Sequence, residues 1–126
     1  MTSESTIMAT IFRDHGATPG LRLFRNQVGE AWMGRIAHAV PGLPPGSVVL
    51  LNARRVTMGW GNGSSDILGC QRTPGGIAQL VAIETKVLGG RVTPVQTAFL
   101  DAVKTWGGLS GVARSSDDAA AILAGQ

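Results

Sequence analysis

The sequence predicts an α/β protein, and three local patterns carry that prediction. Residues 3 to 15 place apolar side chains at helical spacing. Residues 78 to 87 alternate between two faces, as a strand does. Thr93-Pro94 then opens a second helix, because proline is favoured at the first helical position. A chain of 126 residues can bury one modest core, so we expect a single domain over residues 1 to 126.

The first half of the chain is expected to hold one helix and then several strands. The helix over 3 to 15 has Ile7, Met8 and Ile11 on its buried side. Strands are expected at residues 21 to 28, 48 to 58 and 64 to 71, followed by a turn at 72 to 76. The proline-rich segment 41 to 47 is expected to be a loop. It either connects two arms of a hairpin or forms a flap over DNA, and a plain connection is favoured.

The second half is expected to alternate strand, helix, strand and helix. The helix from Pro94 ends before Gly107-Gly108, and five positions form its expected buried stripe: Val95, Phe99, Ala102, Val103 and Trp106. A short strand at 111 to 114 and a helix at 117 to 124 complete the set.

Two charged side chains project from the same face of an otherwise apolar strand. Alternation puts Ala82, Glu84 and Lys86 on one face. Burying a charge without a partner is costly, so this pair is expected to act in function or to hold a cation.

A second carboxylate reaches Glu84 if the hairpin closes symmetrically about Gly75, because this register sets Asp66 opposite Glu84. Directly opposed residues lie about 5 Å apart, and like charges there repel each other. A divalent cation between them turns that repulsion into binding, and Mg²⁺ suits a site with two carboxylates.

The positive charge is concentrated in the first half of the chain. The formal net charge is +3, and no acid falls between Glu30 and Asp66. The basic residues of this region and its upstream flank are Arg22, Arg25, Arg35, Arg54 and Arg55. Such a stretch either contacts phosphate or is a solvated face, and both interpretations stay open.

Three tryptophans are candidates for stacking on bases. Trp60, between Gly59 and Gly61, either lines a substrate groove or packs at a strand end, while Trp106 is expected in the core. Cys70 is expected to be a small residue packed within a strand, and a single cysteine fits a reducing compartment.

Several stretches occur in the order found in a known family: L-R-L-F-R-N-Q-V-G (21 to 29), G-N-G-S-S-D-I-L-G (61 to 69), A-I-E-T-K (82 to 86), G-R-V-T-P-V-Q-T-A-F-L (90 to 100) and G-V-A-R-S-S-D-D-A (111 to 119). The chain thereby resembles the VRR-NUC (virus-type replication-repair nuclease) group of the PD-(D/E)XK nuclease superfamily. This resemblance implies a restriction-endonuclease-like αβββαβ core with a mixed central sheet. It also implies metal-dependent hydrolysis of nucleic-acid phosphodiesters.

The resemblance also implies roles for individual residues. Asp66, Glu84 and the backbone carbonyl of Thr85 are expected metal ligands, and Lys86 positions or activates water. Gln96 is expected at the active site, although Thr93 three residues earlier also makes a capping box with it. Glu4, on the buried side of the first helix, is a further candidate metal ligand.

We therefore expect an Mg²⁺-dependent endonuclease acting on DNA, with Mn²⁺ as a plausible substitute. Family resemblance points to Holliday-junction or other branched substrates cut by a homodimer. A nicking or flap-type endonuclease and a non-catalytic DNA-binding subunit are the alternatives. Candidate DNA contacts are Arg25, Arg54, Arg55 and Trp60. No membrane segment is expected, because the uncharged run from 36 to 53 contains three prolines. A cytoplasmic location is expected, in the host cytoplasm if the protein is viral.

Overall fold

A four-stranded mixed sheet with helices on both faces forms the body of the protein. The computed structural model describes residues 2–126. The elements in chain order are α1 (Glu4–His15), β1 (Leu21–Arg25), β2 (Gly29–Ile36), β3 (Leu50–Met58), β4 (Ile67–Arg72), β5 (Ala78–Thr85), α2 (Pro94–Thr105), β6 (Leu109–Ala113) and α3 (Ser116–Leu123). The sheet has the order β1-β4-β5-β6, in which only β5 and β6 are parallel. The predicted α/β class and mixed sheet are confirmed.

The hairpin of β4 and β5 has the register that the sequence predicts. Ile67 pairs with Ile83 and Cys70 with Leu80, so the pairing is symmetric about the turn at Gly75. One further step in this register sets Asp66, the residue before β4, opposite Glu84. Register matters here because a slip of one residue moves every side chain of a strand to the other face.

The two faces of the sheet bury separate apolar clusters. On one face, α1 and α3 cover the strands, with Ile11 and Ile122 packed near Ile83. On the other face, α2 sets Leu100 and Val103 against Leu68 and Ala82. Because β5 is covered on both sides, its residues from Val81 to Thr85 are all buried. The strand that carries Glu84 is therefore the most enclosed of the sheet.

The buried face of α2 differs from the stripe that the sequence predicts. Leu100 and Val103 are the fully buried positions, whereas Val95 is 49% exposed and Trp106 is 69% exposed. The prediction of Trp106 as a core residue is wrong, because this residue is the C-cap and lies beyond the last helical turn. The stripe is rotated by one position, and Gln96 lies four residues before Leu100 on the same face. The sheet-facing side of α2 therefore begins with Gln96.

Strands β2 and β3 form a separate two-stranded ribbon. The strand expected at 21 to 28 ends at Arg25, and a strand that was not predicted covers Gly29–Ile36. The loop at 41 to 47 connects the two arms of this ribbon, as the favoured interpretation has it. Near the tip both faces are exposed, so β2 lacks the alternation of apolar and polar residues that identifies a half-buried strand. Its register shifts between Met33 and Arg35.

Cys70 is exposed on β4 rather than packed within the sheet. The reason lies in the position of α2, which packs on β5 and β6. In the part of the chain that the structure describes, the β1–β4 half of that face has no covering helix. Within residues 2–126, no helix is long and apolar enough to cross a membrane.

Gly69 allows β1 and β4 to approach each other, and this gives a first prediction. A Cβ atom at Gly69 would lie 2.0 Å from the carbonyl oxygen of Arg22, which is backbone and cannot turn away. We expect Gly69→Ala to lower the free energy of unfolding by about 1–3 kcal/mol or more. Thermal or urea unfolding measures this.

Gly75→Ala is the matched control for that substitution. A Cβ atom at Gly75 would lie 3.8 Å from Thr73 Oγ1, its nearest contact beyond the adjacent residues, and Gly75 does not have positive φ, so alanine fits without a clash. Equal stability of the two variants would show that the β1–β4 spacing is not constrained at Gly69.

Candidate active site

Glu84 is a carboxylate enclosed at the end of the central strand. Its side chain is 2% exposed. Oε1 accepts a hydrogen bond from Gln96 Nε2 at 2.8 Å and lies 3.4 Å from Lys86 Nζ. Oε2 is buried and has no hydrogen-bond partner. A buried carboxylate oxygen without a partner is unfavourable, so Glu84 Oε2 is the atom in this region most in need of a cation or a proton.

Asp66 is held against the same strand by the residue after Glu84. Its Oδ2 accepts hydrogen bonds from the backbone nitrogen of Thr85 at 2.9 Å and from Thr85 Oγ1 at 2.8 Å. These two bonds orient the carboxylate of Asp66 from the end of β4 towards β5. The N–H and C=O of one strand residue point to the same side, so the carbonyl of Thr85 also faces the Asp66 side.

The environment of Glu84 changes its titration. Burial, together with the negative charge of Asp66, raises the pKa of Glu84 from 4.5 to about 7, and the nearby Lys86 ammonium opposes the change. The neighbouring cationic side chain is therefore not enough to offset removal from water. Near neutral pH the site holds a carboxylate that is close to balance between its charged and neutral forms.

Lys86 follows β5 and contacts two acids. Its side chain is 13% exposed, and Nζ lies 3.4 Å from Glu84 Oε1 and 3.8 Å from Glu4 Oε1. Such a mostly enclosed ammonium interacts with a nearby negative charge more strongly than a solvated one does. Glu4 thus comes to the edge of the site from α1, next to Lys86, with its own side chain 45% exposed.

Gln96 combines the two roles that the sequence left open. Its Oε1 accepts a hydrogen bond from the Thr93 backbone nitrogen, and its own backbone nitrogen donates to Thr93 Oγ1, which is a capping box. Its Nε2 donates to Glu84 Oε1. The cap therefore fixes the side-chain amide with its donor turned towards the buried carboxylate.

The donors present fit a divalent cation that uses few protein ligands. In the part of the chain from residue 2 onwards, no three His, Cys, Asp or Glu side chains converge into a metal-holding group. Mg²⁺ commonly takes only one or two carboxylates and completes its octahedron with water and substrate phosphate. The unpartnered Oε2 of Glu84, the carboxylate of Asp66 and the carbonyl of Thr85 match that requirement. Glu4 is next to Lys86 and does not complete a cluster of three acids.

An open groove of about 450 Å³ leads to Asp66. Arg25 and Gln96 line it, as does Ser64 of the segment that precedes Asp66. The groove is mostly polar, and Arg25 is the cationic residue that shares its lining with Asp66. Arg25 is therefore the candidate DNA contact that the fold brings to the site.

Arg54 and Arg55 lie away from this groove on the ribbon. As neighbours on β3 they point to opposite faces. Arg55 is 3.6 Å from Glu30 and stacks over the ring of Trp32 at 5.3 Å. These two arginines therefore cannot present one common surface to a flat partner, and Arg54 is paired across the ribbon with Met33.

Asn26 is a site-forming residue that the sequence did not single out. Its Nδ2 donates to Ser64 Oγ and to the Ser65 carbonyl, each at 2.8 Å, and its Oδ1 accepts from the Trp60 backbone nitrogen. Its backbone nitrogen donates to the carbonyl of Asp66 at 2.7 Å. One side chain thus fastens the segment that leads into Asp66. An asparagine directly after a strand signals a turn, but its partners lie more than thirty residues away and have no local signature.

No family model matches this chain, and a search of curated proteins finds no match. Its function is therefore inferred from the residues and geometry described above.

The raised pKa of Glu84 gives a prediction for stability against pH. Because the folded-state pKa of about 7 exceeds the ordinary 4.5, folding favours proton uptake between these values. The stability that protonated Glu84 supplies is complete below about pH 4.5 and is lost as the pH rises through 7. Glu84→Gln changes the free energy of unfolding by an amount that should depend on pH. Without divalent cations, we expect that change to be more favourable at pH 8 than at pH 4.5 by about 1–3 kcal/mol.

Thermal unfolding of both proteins in EDTA across this pH range checks the difference. Asp101→Asn, which removes an exposed carboxylate on α2, is the matched control. A stability difference between Glu84→Gln and the parent that stays constant from pH 4.5 to 8 would contradict the raised pKa.

Proposed function

We propose that this protein is a metal-dependent endonuclease that hydrolyses DNA phosphodiester bonds. The observation that carries the proposal is the unpartnered, buried Oε2 of Glu84 beside Asp66, with Lys86 and Gln96 occupying the other oxygen. A structural ion pair would satisfy both oxygens of a buried carboxylate. A site that leaves one of them free, beside an acid that lines an open groove, suits a cation that shares its ligands with a substrate phosphate.

Membership of the PD-(D/E)XK superfamily, and of its VRR-NUC group, is part of the proposal. The order of elements supports it: apart from the ribbon and the final helix α3, the chain runs α1, β1, β4, β5, α2 and β6, which is a helix, three strands, a helix and a strand. The acid before β4 and the E-x-K sequence at the end of β5 lie side by side. This agrees with the core and the site that the resemblance implies.

Different residues would bind the metal, position its ligands and stabilise charge during hydrolysis. Asp66, Glu84 and the carbonyl of Thr85 would hold Mg²⁺, or Mn²⁺ in its place. When bound, the ion supplies charge neutralisation and a more acidic water for attack on phosphorus. Gln96 keeps the carboxylate of Glu84 in place through Oε1. Lys86 places its ammonium next to Glu84, where it can orient water and stabilise negative charge that develops on the phosphoryl oxygens.

We further propose that the DNA substrate is branched and that the enzyme acts as a homodimer. Arg25 in the groove offers a phosphate contact on the approach to Asp66. Cleavage of branched DNA by a homodimer would place two such grooves on two strands. The exposed ribbon of β2 and β3, with arginines on both faces, is a further surface that DNA or a second copy can contact.

A cleavage panel tests the proposed activity. Four-way junctions, flaps, nicked duplexes and linear duplexes are incubated with the protein in Mg²⁺, in Mn²⁺ and in EDTA. We expect metal-dependent cleavage that Asp66→Asn abolishes, because the amide removes a ligand charge while it preserves the shape of the side chain. Asp101→Asn is the matched control and should cut as the parent does.

Two results would contradict the proposal. One is an absence of cleavage of every substrate in the panel with either metal. The other is parental activity of Asp66→Asn at saturating Mg²⁺. Calorimetric titration with Mg²⁺ alone accompanies the panel, and Asp66→Asn should lose heat of binding even where cleavage is too slow to follow.

A final prediction separates chemistry from DNA binding. We expect Lys86→Ala to lower single-turnover cleavage by roughly 10²–10³-fold while it retains most of the affinity for DNA. Arg25→Ala should instead weaken binding and reduce the slope of log affinity against log salt by about 0.9, the value for one phosphate contact on duplex. At saturating protein concentration, the Arg25→Ala variant should cleave at the parental rate. Binding against salt and single-turnover rates are measured for both.

Lys104→Ala on the exposed end of α2 is the control for the loss of a lysine. Cleavage by Lys86→Ala at the parental rate would remove Lys86 from the mechanism. An unchanged salt slope for Arg25→Ala would mean that DNA follows another path across the surface.

A further inference from the structure

A small apolar slot lies next to the groove of the candidate active site. Its volume is about 230 Å³, and it is lined by Phe24, Arg25, Trp60, Leu68 and Leu80 among others. Pockets for drug-sized ligands span roughly 300–1,000 Å³, so this slot suits one small group rather than a folded segment. Phe24 is 56% exposed and Trp60 is 63% exposed, so two aromatic side chains border it in water.

The slot exists because the sheet is only half covered on this face. Phe24 is paired with Leu68, and Leu68 with Ala82, in a row across β1, β4 and β5. The far end of that row is covered by α2, which packs on β5 and β6, and none of the helices within residues 2–126 covers the Phe24 end. Arg22 lies over the ring of Phe24, with its guanidinium carbon 5.7 Å from the centroid. The opening is therefore an apolar floor with cationic side chains at its margin.

Trp60 also lines the slot, and its backbone is fixed by neighbouring residues. The backbone nitrogen of Trp60 donates to Asn26 Oδ1 at 3.1 Å. The glycines on either side have φ of 83° and 107°, which only glycine adopts readily. A Cβ at Gly59 would also lie 2.7 Å from the carbonyl of Gln27. The local chain thus presents an exposed indole from a constrained turn.

The slot and the groove share two residues. Arg25 and Asn26 line both, and Asn26 fastens the segment that runs from Trp60 to Asp66. A group bound in the slot is therefore close to a phosphate bound beside Asp66. Aromatic and aliphatic walls next to a guanidinium match a nucleotide, whose base is flat and apolar on its faces and whose backbone is anionic.

We propose that this slot binds one unpaired nucleobase of the DNA strand that lies in the groove. A base within a continuous duplex is stacked and paired, and taking it out requires a few kcal/mol, least for a base that is already unpaired. The slot therefore selects DNA with single-stranded nucleotides next to the cleavage position, such as flaps, tails and gaps, over fully paired junctions and blunt duplexes. This inference rests on the proposed nuclease function for its groove, but its test does not require cleavage.

The test measures affinity by fluorescence anisotropy in EDTA, where no metal supports cleavage. A blunt duplex is compared with the same duplex carrying a single-stranded tail at either the 5′ or the 3′ end. We expect the parent to prefer one tailed form. Trp60→Ala should lower affinity for that form by between about fivefold and about 150-fold, the range for one stacked base, and leave the affinity for the blunt duplex unaffected.

Matched variants keep the result specific to the slot. Trp60→Phe retains an aromatic face and should keep most of the preference, and Phe24→Ala should lose it. Trp106→Ala removes an equally exposed tryptophan at the far end of α2 and should change nothing. Circular dichroism of each variant confirms folding before binding is measured.

Four outcomes would overturn the inference, and three of them are seen without cleavage. The parent does not distinguish tailed from blunt DNA, Trp60→Ala weakens binding of both equally, or Trp60→Ala shifts the self-association seen by sedimentation velocity without altering DNA preference. The last result would assign the slot to a second copy of the chain. With protein below saturation, metal-dependent cleavage of the preferred tailed duplex by Trp60→Ala at the parental rate would contradict the slot and leave the nuclease proposal in place. A preference for tailed DNA without any cleavage would support the base-binding slot and contradict the nuclease function.

Discussion

The carboxylate of Glu84 is the constraint around which the rest of the site is arranged. It lies in the central strand, covered from both faces, where an ionised group is unfavourable without compensation. Gln96 and Lys86 compensate one oxygen only, and Asp66 adds a second negative charge nearby. The protein thus keeps a strained electrostatic arrangement that a bound cation would relieve, which is typical of sites where function rather than stability determines the residues.

Separate elements of the fold position the side chains that surround Glu84. The symmetric hairpin of β4 and β5 sets Asp66 opposite Glu84, and the capping box of α2 aims Gln96 at the same carboxylate. Lys86 continues β5 into the edge of the site, where Glu4 of α1 reaches it. Asn26 fastens the segment before Asp66 from the end of β1. Small changes of register in any one element would separate these groups.

Much of this geometry follows from local patterns. Strand alternation and turn symmetry predicted the pairing of β4 with β5, and Thr93-Pro94 located the start of α2. The ribbon strand Gly29–Ile36 was missed, because a strand exposed on both faces has no burial pattern. Trp106 was placed in the core because spacing along a helix does not tell where the sheet beneath it ends. The role of Asn26 depends on partners distant in sequence, so it required the folded chain.

The titration of Glu84 tests the central claim most directly, by NMR of its side-chain carboxyl carbon with and without Mg²⁺. Without divalent cations, the carboxyl should titrate with a pKa of about 7, because it is buried beside Asp66. Saturating Mg²⁺ should lower that pKa, since the ion binds the charged form and competes with the proton. A pKa near 4.5 in EDTA, or the same value with and without Mg²⁺, would contradict a cation site built on Glu84.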